Sequence, residues 1–381
     1  MNKLAGIYTH IPFCIKKCPY CDFYSITDQS LKKPFINALI REIDLVSRPS
    51  LLFDSIYFGG GTPSVFKAED ISHIIEKMYG LFHILTNSEI TIEVNPGTVT
   101  LEKLKEYRSI GINRINIGVQ SFQDATLDFL GRIHSTNDAN KIIKFAQKTG
   151  FDNIGIDLIC GIPGQTKKTW LFDLRKAVEF EPEHISCYML TYEKGTPLDR
   201  ERQQGKFKPV ADSLSAELFK TTIEYLTAHG YIQYEISNFA KDTHRKSRHN
   251  LKYWSFTPYL GFGPSAHSFI DPKRYWNCRN VKKYINNIKE GRLSIEKKEI
   301  LSKEQRMMEM VYLGLRKTDG ININTIDENL GINFRHMFAE KLKQLEEDGY
   351  ILRIQPKNHC TLSRKGMLFL DSIAPMLMID D

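Results

Sequence analysis

A chain of 381 residues with 41% hydrophobic and 25% charged content can bury a large core and still supply a smaller second domain, so it reads as an ordinary globular protein. No apolar run approaches the roughly eighteen residues that span a bilayer, and residues 1–7 lack the apolar stretch of a secretory signal, which excludes a transmembrane segment and makes the cytoplasm the expected location. The net charge of +7 is local: twelve Lys and Arg meet three acidic residues between 241 and 293, whereas eleven basic meet twelve acidic residues over 301–381, leaving no cationic footprint for nucleic acid and pointing instead to a small polyanion.

In chain order, short apolar runs rich in β-branched residues alternate with amphipathic stretches, the pattern of a parallel α/β architecture. Strands are predicted at 6–12, 55–60, 89–95, 114–120, 153–160 and 184–190. A helix over 33–46 repeats Phe35, Ile36, Leu39, Ile40 and Ile43 at helical spacing. Thr100 and Gly111 stand where an N-cap and a C′ residue belong, bracketing Leu101, Leu104 and Tyr107. These elements predict a partial (β/α)6 TIM-like barrel over 1–235, with a further helix at 211–230. A basic segment rich in Gly, Pro and aromatic residues, 236–295, completes that core. Helices at 303–316 and 336–348, an extended 350–354 and a helix beyond Ser363 predict a smaller α+β, winged-helix-like domain over 296–381.

Directly after the first strand, Cys14-x-x-x-Cys18-x-x-Cys21 presents three thiolates from one short loop. Seven cysteines in the whole chain are too few for a disulfide framework, and clustered thiols in a reducing compartment point to metal. A cubane has four irons, so three cysteines leave one iron open, whereas structural zinc sites use four protein ligands. An open iron can chelate the amino and carboxylate groups of S-adenosylmethionine (SAM), and an electron from a reduced [4Fe–4S] cluster can cleave the sulfonium to a 5′-deoxyadenosyl radical. The alternatives are three cysteines that merely lie close together, or a zinc site completed by a distant histidine. Cys160, Cys187, Cys278 and Cys360, scattered singly, read as small core residues.

Further polar signals recur at strand ends. Gly59-Gly60-Gly61-Thr62-Pro63 follows the second strand, as a tight turn or as bare backbone that lets a ligand approach. The third strand ends in Glu93-Val94-Asn95-Pro96, the fourth in Gly118-Val119-Gln120-Ser121, and the fifth carries Asp157. In a βα barrel such ends converge on one mouth, although each residue alone could cap a helix or satisfy a loop amide. His249-Asn250-Leu251-Lys252-Tyr253 opens the basic segment behind Arg245, Lys246 and Arg248. On a helix His249 and Tyr253 share a face; both side chains ligate haem iron, and cations pair with propionates. A structural histidine is the other reading. The stretch from Tyr259 to His267 reads as close backbone approach to a pocket, with His267 beside it but not as a ligand.

The words Tyr8-Thr9-His10-Ile11-Pro12-Phe13-Cys14 and Lys17-Cys18-Pro19-Tyr20-Cys21-Asp22-Phe23-Tyr24 resemble the radical SAM superfamily and, within it, the oxygen-independent coproporphyrinogen III oxidase family, most closely its HemW branch of haem chaperones. The likeness covers residues 6–290 well and the tail more loosely. It implies a [4Fe–4S] cluster on Cys14, Cys18 and Cys21, and SAM on Gly60, Gly61, Thr62, Glu93, Gln120, Arg132 and Asp157 with Tyr8 and Tyr20 packing nearby. It further implies haem as cargo at His249 and Tyr253, which match the branch's His-Asn-x-x-Tyr signature. The function implied is binding haem and passing it to an acceptor protein, with an electron donor for the cluster. The alternative is a coproporphyrinogen III dehydrogenase that decarboxylates propionates by radical chemistry. Oxidases of the family carry a fourth cysteine where this chain has Phe23, and an extension ahead of the cluster loop where Cys14 stands near the first residue; both differences favour the chaperone.

Overall fold

The computed structural model describes residues 4–46, 50–352, 354 and 358–378. Six strands lie side by side in sequence order, each parallel to the next: β1 (Ala5–Ile11), β2 (Leu52–Gly60), β3 (His83–Val94), β4 (Arg114–Gln120), β5 (Ile154–Cys160) and β6 (His184–Met189). This is the predicted partial barrel. Period-two alternation sets its faces. Ile7, Ile56, Phe58, Ile92, Ile115, Ile117, Ile156 and Ile185 join the main apolar core with the surrounding helices. Their neighbours along each strand point the other way.

The sheet runs further than the sequence indicates. Beyond β6, β8 (Asn238–Ala240) and β7 (Ile232–Gln233) add antiparallel strands. On the other edge, β9 (Tyr259–Phe262) pairs parallel with β1 and leads antiparallel into β10 (His267–Ile270), β11 (Lys273–Asn277) and β12 (Ile295–Ile300). These pieces are too short, and too interrupted by Gly261, Gly263 and Pro264, to carry a readable alternation.

Helices between the parallel strands follow their caps. The helix Lys32–Leu45 buries Phe35, Ile36, Leu39 and Ile43 as its spacing predicts, and Thr100 accepts from the Lys103 N–H at the start of Leu101–Ser109. Gly111 then takes φ +96, a left-handed turn that glycine enters without a Cβ clash. Glu42 anchors the extra edge to the barrel. It is 1% exposed and accepts from the Gly263 N–H (2.7 Å), the Asn277 amide (2.5 Å) and the Tyr284 hydroxyl (2.6 Å), while burial pushes its pKa up to about 7.

A second apolar core gathers Leu315, Ile326, Phe334, Phe338, Leu345, Cys360 and Ile373. It is built from the helices Lys303–Leu315, Ile323–Leu330 and Ala339–Glu347 and the pair β13 (Ile321–Asn322) and β14 (His359–Cys360). The helix predicted over 336–348 is instead two, Phe334–Met337 and Ala339–Glu347. Phe338 leaves helical geometry (φ −113, ψ 22), which lets its ring pack on Phe334 in that core at 4.8 Å. Of the extended 350–354, Ile351 bridges Leu362, and Arg353 lies outside the described residues. Ser363 caps Arg364–Met367, and Leu370–Met376 follows. Cys160, Cys187, Cys278 and Cys360 are buried in the two cores, as packing residues. No helix among the described residues is long and apolar enough to cross a membrane.

Candidate functional site

The side chains that alternation turns inward are polar or aromatic, and register brings them together. Tyr8 stands opposite Tyr57, Glu93 opposite Asn116, and Gly118 opposite Asp157. The Tyr57 hydroxyl donates to Glu93 Oε1 at 2.7 Å, and the Asn116 amide donates to Asp157 Oδ2 at 2.5 Å. Burial pushes the Glu93 carboxyl up to about 7 and that of Asp157 up to about 6, because a charged carboxylate loses its hydration there. Arg114, 1% exposed, supplies positive charge to Glu89 and Asp157. Tyr57, Glu89, Arg114 and Asn116 carried no motif in the sequence. Their signal was the polar half of the strand alternation.

The cysteine loop closes one end of this chamber. Cys14 N–H donates to Ile26 O at 2.9 Å, Gln29 Nε2 donates to Cys14 O at 3.0 Å, and Cys21 N–H donates to Cys18 O at 3.2 Å. Cys14 is buried, Cys18 and Cys21 half-buried, and none is in a disulfide. Burial and the neighbouring Cys18 and Cys14 raise the Cys21 thiol to about 11, against the backbone donor at Phe23. Among the described residues no group of three or more His, Cys, Asp or Glu converges as a single-ion site would require. In a cubane each thiolate binds a different iron, so its ligands need not meet at one point.

Two loops from neighbouring strands reach the thiols. Gly61 N–H donates to Ile11 O (2.8 Å), Thr62 N–H to Phe13 O (2.7 Å), and the Thr62 hydroxyl to Cys14 Sγ (3.5 Å). A Cβ at Gly61 would stand 2.7 Å from Phe13 O, so only glycine lets these backbones run so close. From the other side, the Arg132 guanidinium donates to Gly118 O (2.7 Å), the Tyr20 hydroxyl (3.4 Å) and Cys18 Sγ (3.7 Å). Gln120 adopts φ +67 at a bulge, and a Cβ at Gly118 would meet both Gln120 Nε2 and Arg132 Nη2. The structure thus gathers Tyr20, Gly61, Thr62, Gln120 and Arg132 around the cysteine loop and Tyr8, Glu93 and Asp157 on the strands beneath, with Gly60 donating to Glu93. Arg132 Nε, Asp157 Oδ1 and Asn116 Oδ1 are buried without partners, the condition of groups that face a polar ligand. A cation, carboxylates, a bare glycine backbone and three thiols fit a cluster and the amino-acid and nucleoside parts of SAM.

His249 closes the chamber from below. It lies on the helix Arg248–Trp254, whose first N–H groups, those of Arg248 (3.1 Å) and His249 (3.2 Å), donate to the Glu89 carboxylate. Its ring stacks on Tyr57 at 5.1 Å. Nδ1 is hydrogen-bonded to Ser55 Oγ (3.1 Å) and Nε2 to the Tyr253 hydroxyl (2.9 Å). Burial depresses its pKa to about 3, so the imidazole is neutral. The i, i+4 pairing read from the sequence is therefore present. The cations around it are not turned to a ligand: Arg248 donates to Asn87 O, Arg245 to Asp152 O, and Lys252 pairs with Asp54 at 2.6 Å.

On the far side of Tyr253 a cavity of about 550 Å³ opens between the antiparallel edge and the helix Lys303–Leu315, lined among others by Tyr259, Phe269, Trp276 and Met308. The pair His249–Tyr253 therefore separates two spaces, one polar and near the thiols, one aromatic.

Comparison with known proteins matches two stretches of the chain. Residues 8–177 match the radical SAM superfamily, and residues 301–369 match the HemN C-terminal domain. The chain is 36% identical over 355 residues to the haem chaperone HemW of Bacillus subtilis, covering 91% of this chain and 93% of that one. It is 34% identical over 391 residues to HemW of Buchnera aphidicola, covering 99% and 100%. The solved structure of the Escherichia coli coproporphyrinogen III oxidase HemN, a radical SAM enzyme, superposes with a TM-score of 0.84 at 25% identity, over 99% of this chain and 90% of that one.

Proposed function

The chain belongs to the HemW family within the radical SAM superfamily, and on that premise we propose that it binds haem and hands it to an acceptor protein, with a [4Fe–4S] cluster and SAM in the barrel. The observation that carries this reading is the aromatic cavity of about 550 Å³ walled by Tyr253, whose hydroxyl is hydrogen-bonded at 2.9 Å to the buried His249 behind it; its volume is that of a small-molecule site.

Cys14, Cys18 and Cys21 would ligate three irons. A cluster held there would supply a site for the amino-acid end of SAM and an electron for reductive chemistry. The protein's own part is positioning. Gly60, Gly61 and Thr62 bring bare backbone to the amino-acid end, and Arg132 offers a guanidinium suited to a carboxylate. Glu93, Gln120 and Asp157 present acceptors and an amide to the remaining polar groups, with Tyr8 and Tyr20 packed alongside. Phe23, 67% exposed, occupies the place of the oxidases' fourth cysteine, which favours the chaperone over the dehydrogenase. An electron donor and a haem acceptor complete the proposal.

The test is turnover of coproporphyrinogen III by the anaerobic, cluster-loaded protein with SAM and a reductant. No protoporphyrinogen above the no-enzyme control is expected. Sustained, SAM-dependent formation above that control would make the chain a dehydrogenase and remove the proposal.

A further inference from the structure

The haem reading leaves open which side chain meets the iron, and the buried His249 is poorly placed for it. Both its ring nitrogens are engaged, by Ser55 and by Tyr253, and it is 1% exposed behind the Tyr253 ring. The aromatic cavity contains another imidazole. His267, on β10, lines it together with Tyr253, Tyr259 and Phe269, and it lies exposed at the rim.

Register explains the arrangement. His267 pairs with Trp276 and Trp276 with Lys297 across β10, β11 and β12, and the next row is Phe269, Arg274 and Glu299. Directly opposed residues on adjacent strands share a face, so these two rows form one wall. The His267 ring stacks on Trp276 at 5.2 Å with an interplanar angle of 19°, which fixes its plane. Arg274 is bound to Glu309 and Glu299 and so is part of the wall rather than an available cation. Lys297 lies over the other side of the row, 5.6 Å from the Trp276 ring centre, exposed and free to meet an anion at the rim. Partial burial of the ring and the nearby Arg274 lower the pKa of His267.

We propose that His267 is the protein ligand to haem iron in this cavity, with the porphyrin seated on the aromatic wall, a propionate at Lys297, and His249 acting through Tyr253 as a positioning residue. Binding forms one Fe–N bond at the expense of iron-bound water and requires no redox step. The proposal rests on the haem-chaperone reading, and its test separates the two. Ferric haem is titrated into wild-type protein and into His267→Ala and His267→Met, with the axial ligand read by electron paramagnetic resonance and resonance Raman spectroscopy. Wild type should show a histidine-ligated iron. His267→Ala should lose that signature and bind at least tenfold more weakly, with the signature restored by added imidazole, and His267→Met should change the ligand class while retaining haem. Wild-type ligation and affinity in His267→Ala would overturn this assignment while leaving the chaperone intact, whereas failure of wild type to bind haem would remove both. His267 is exposed, so circular dichroism of the variants should match wild type; if His267→Ala misfolds, the folded His267→Met decides alone, a changed ligand class supporting the assignment and wild-type ligation overturning it.

Discussion

Cys18→Ser protein, reconstituted anaerobically, is expected to hold well under one iron per chain where wild type holds about four. Cys18 sits between the other two thiols in a loop whose flanks are tied together, Ile26 N–H donating to Pro12 O, and whose middle is held by Leu198 N–H donating to Pro19 O. A cubane on two cysteines has two open irons and no third anchor, so the loss is of the whole cluster rather than of one ligand. The fold should survive, because Cys18 is half-buried and belongs to neither apolar core. Iron analysis and the charge-transfer absorbance read the first part, circular dichroism the second. Retention of four irons in Cys18→Ser would show that the cluster lies elsewhere.

Arg114→Met is expected to destabilise the protein by about 3–5 kcal/mol, the cost of leaving buried charge without its partner. Arg114 lies on the inward face of β4, and its charge falls on Glu89 and Asp157. A Cβ on Gly155 would stand 2.2 Å from Asn116 Oδ1 and 3.3 Å from Arg114 Nη2, so the neighbouring strand leaves room for the Asn116 amide and, less tightly, for the guanidinium. Glu89 in turn holds the first turn of the helix that carries His249. Methionine fills much of the volume and supplies none of the charge, so packing loss contributes little. A denaturant midpoint shifted by less than 1 kcal/mol in equivalent stability would mean that the inward polar face is not held together electrostatically.

Much of this arrangement can be read from the chain, for identifiable reasons. The six parallel strands were legible because their outward faces repeat Ile and Val against helices whose caps, such as Thr100 with Gly111, are encoded locally. The cysteine loop and the Gly59–Gly61 run were legible because close backbone approach and shared metal ligation demand particular residues at particular spacings. Tyr57 and Arg114 were not, since their partners come from other strands and depend on register. The edge strands β9 to β12 were hidden by their shortness, yet they build the cavity and place His267 beside Trp276. His249 and Tyr253 were legible as a helical pair, but not the burial of His249, which follows from Gly6 and Ser55 leaving room beneath it: a Cβ at Gly6 would stand 2.9 Å from its Nδ1. Nor could the sequence say that Arg248 and Lys252 are already occupied by Asn87 and Asp54.

The reading of the whole molecule as a haem carrier is tested most directly by titrating haem into the purified, cluster-loaded wild-type protein and following the Soret band. A shifted band that saturates at one haem per chain, with iron–sulfur content unchanged, is the expected result; a spectrum that remains that of free haem at every ratio would contradict the account.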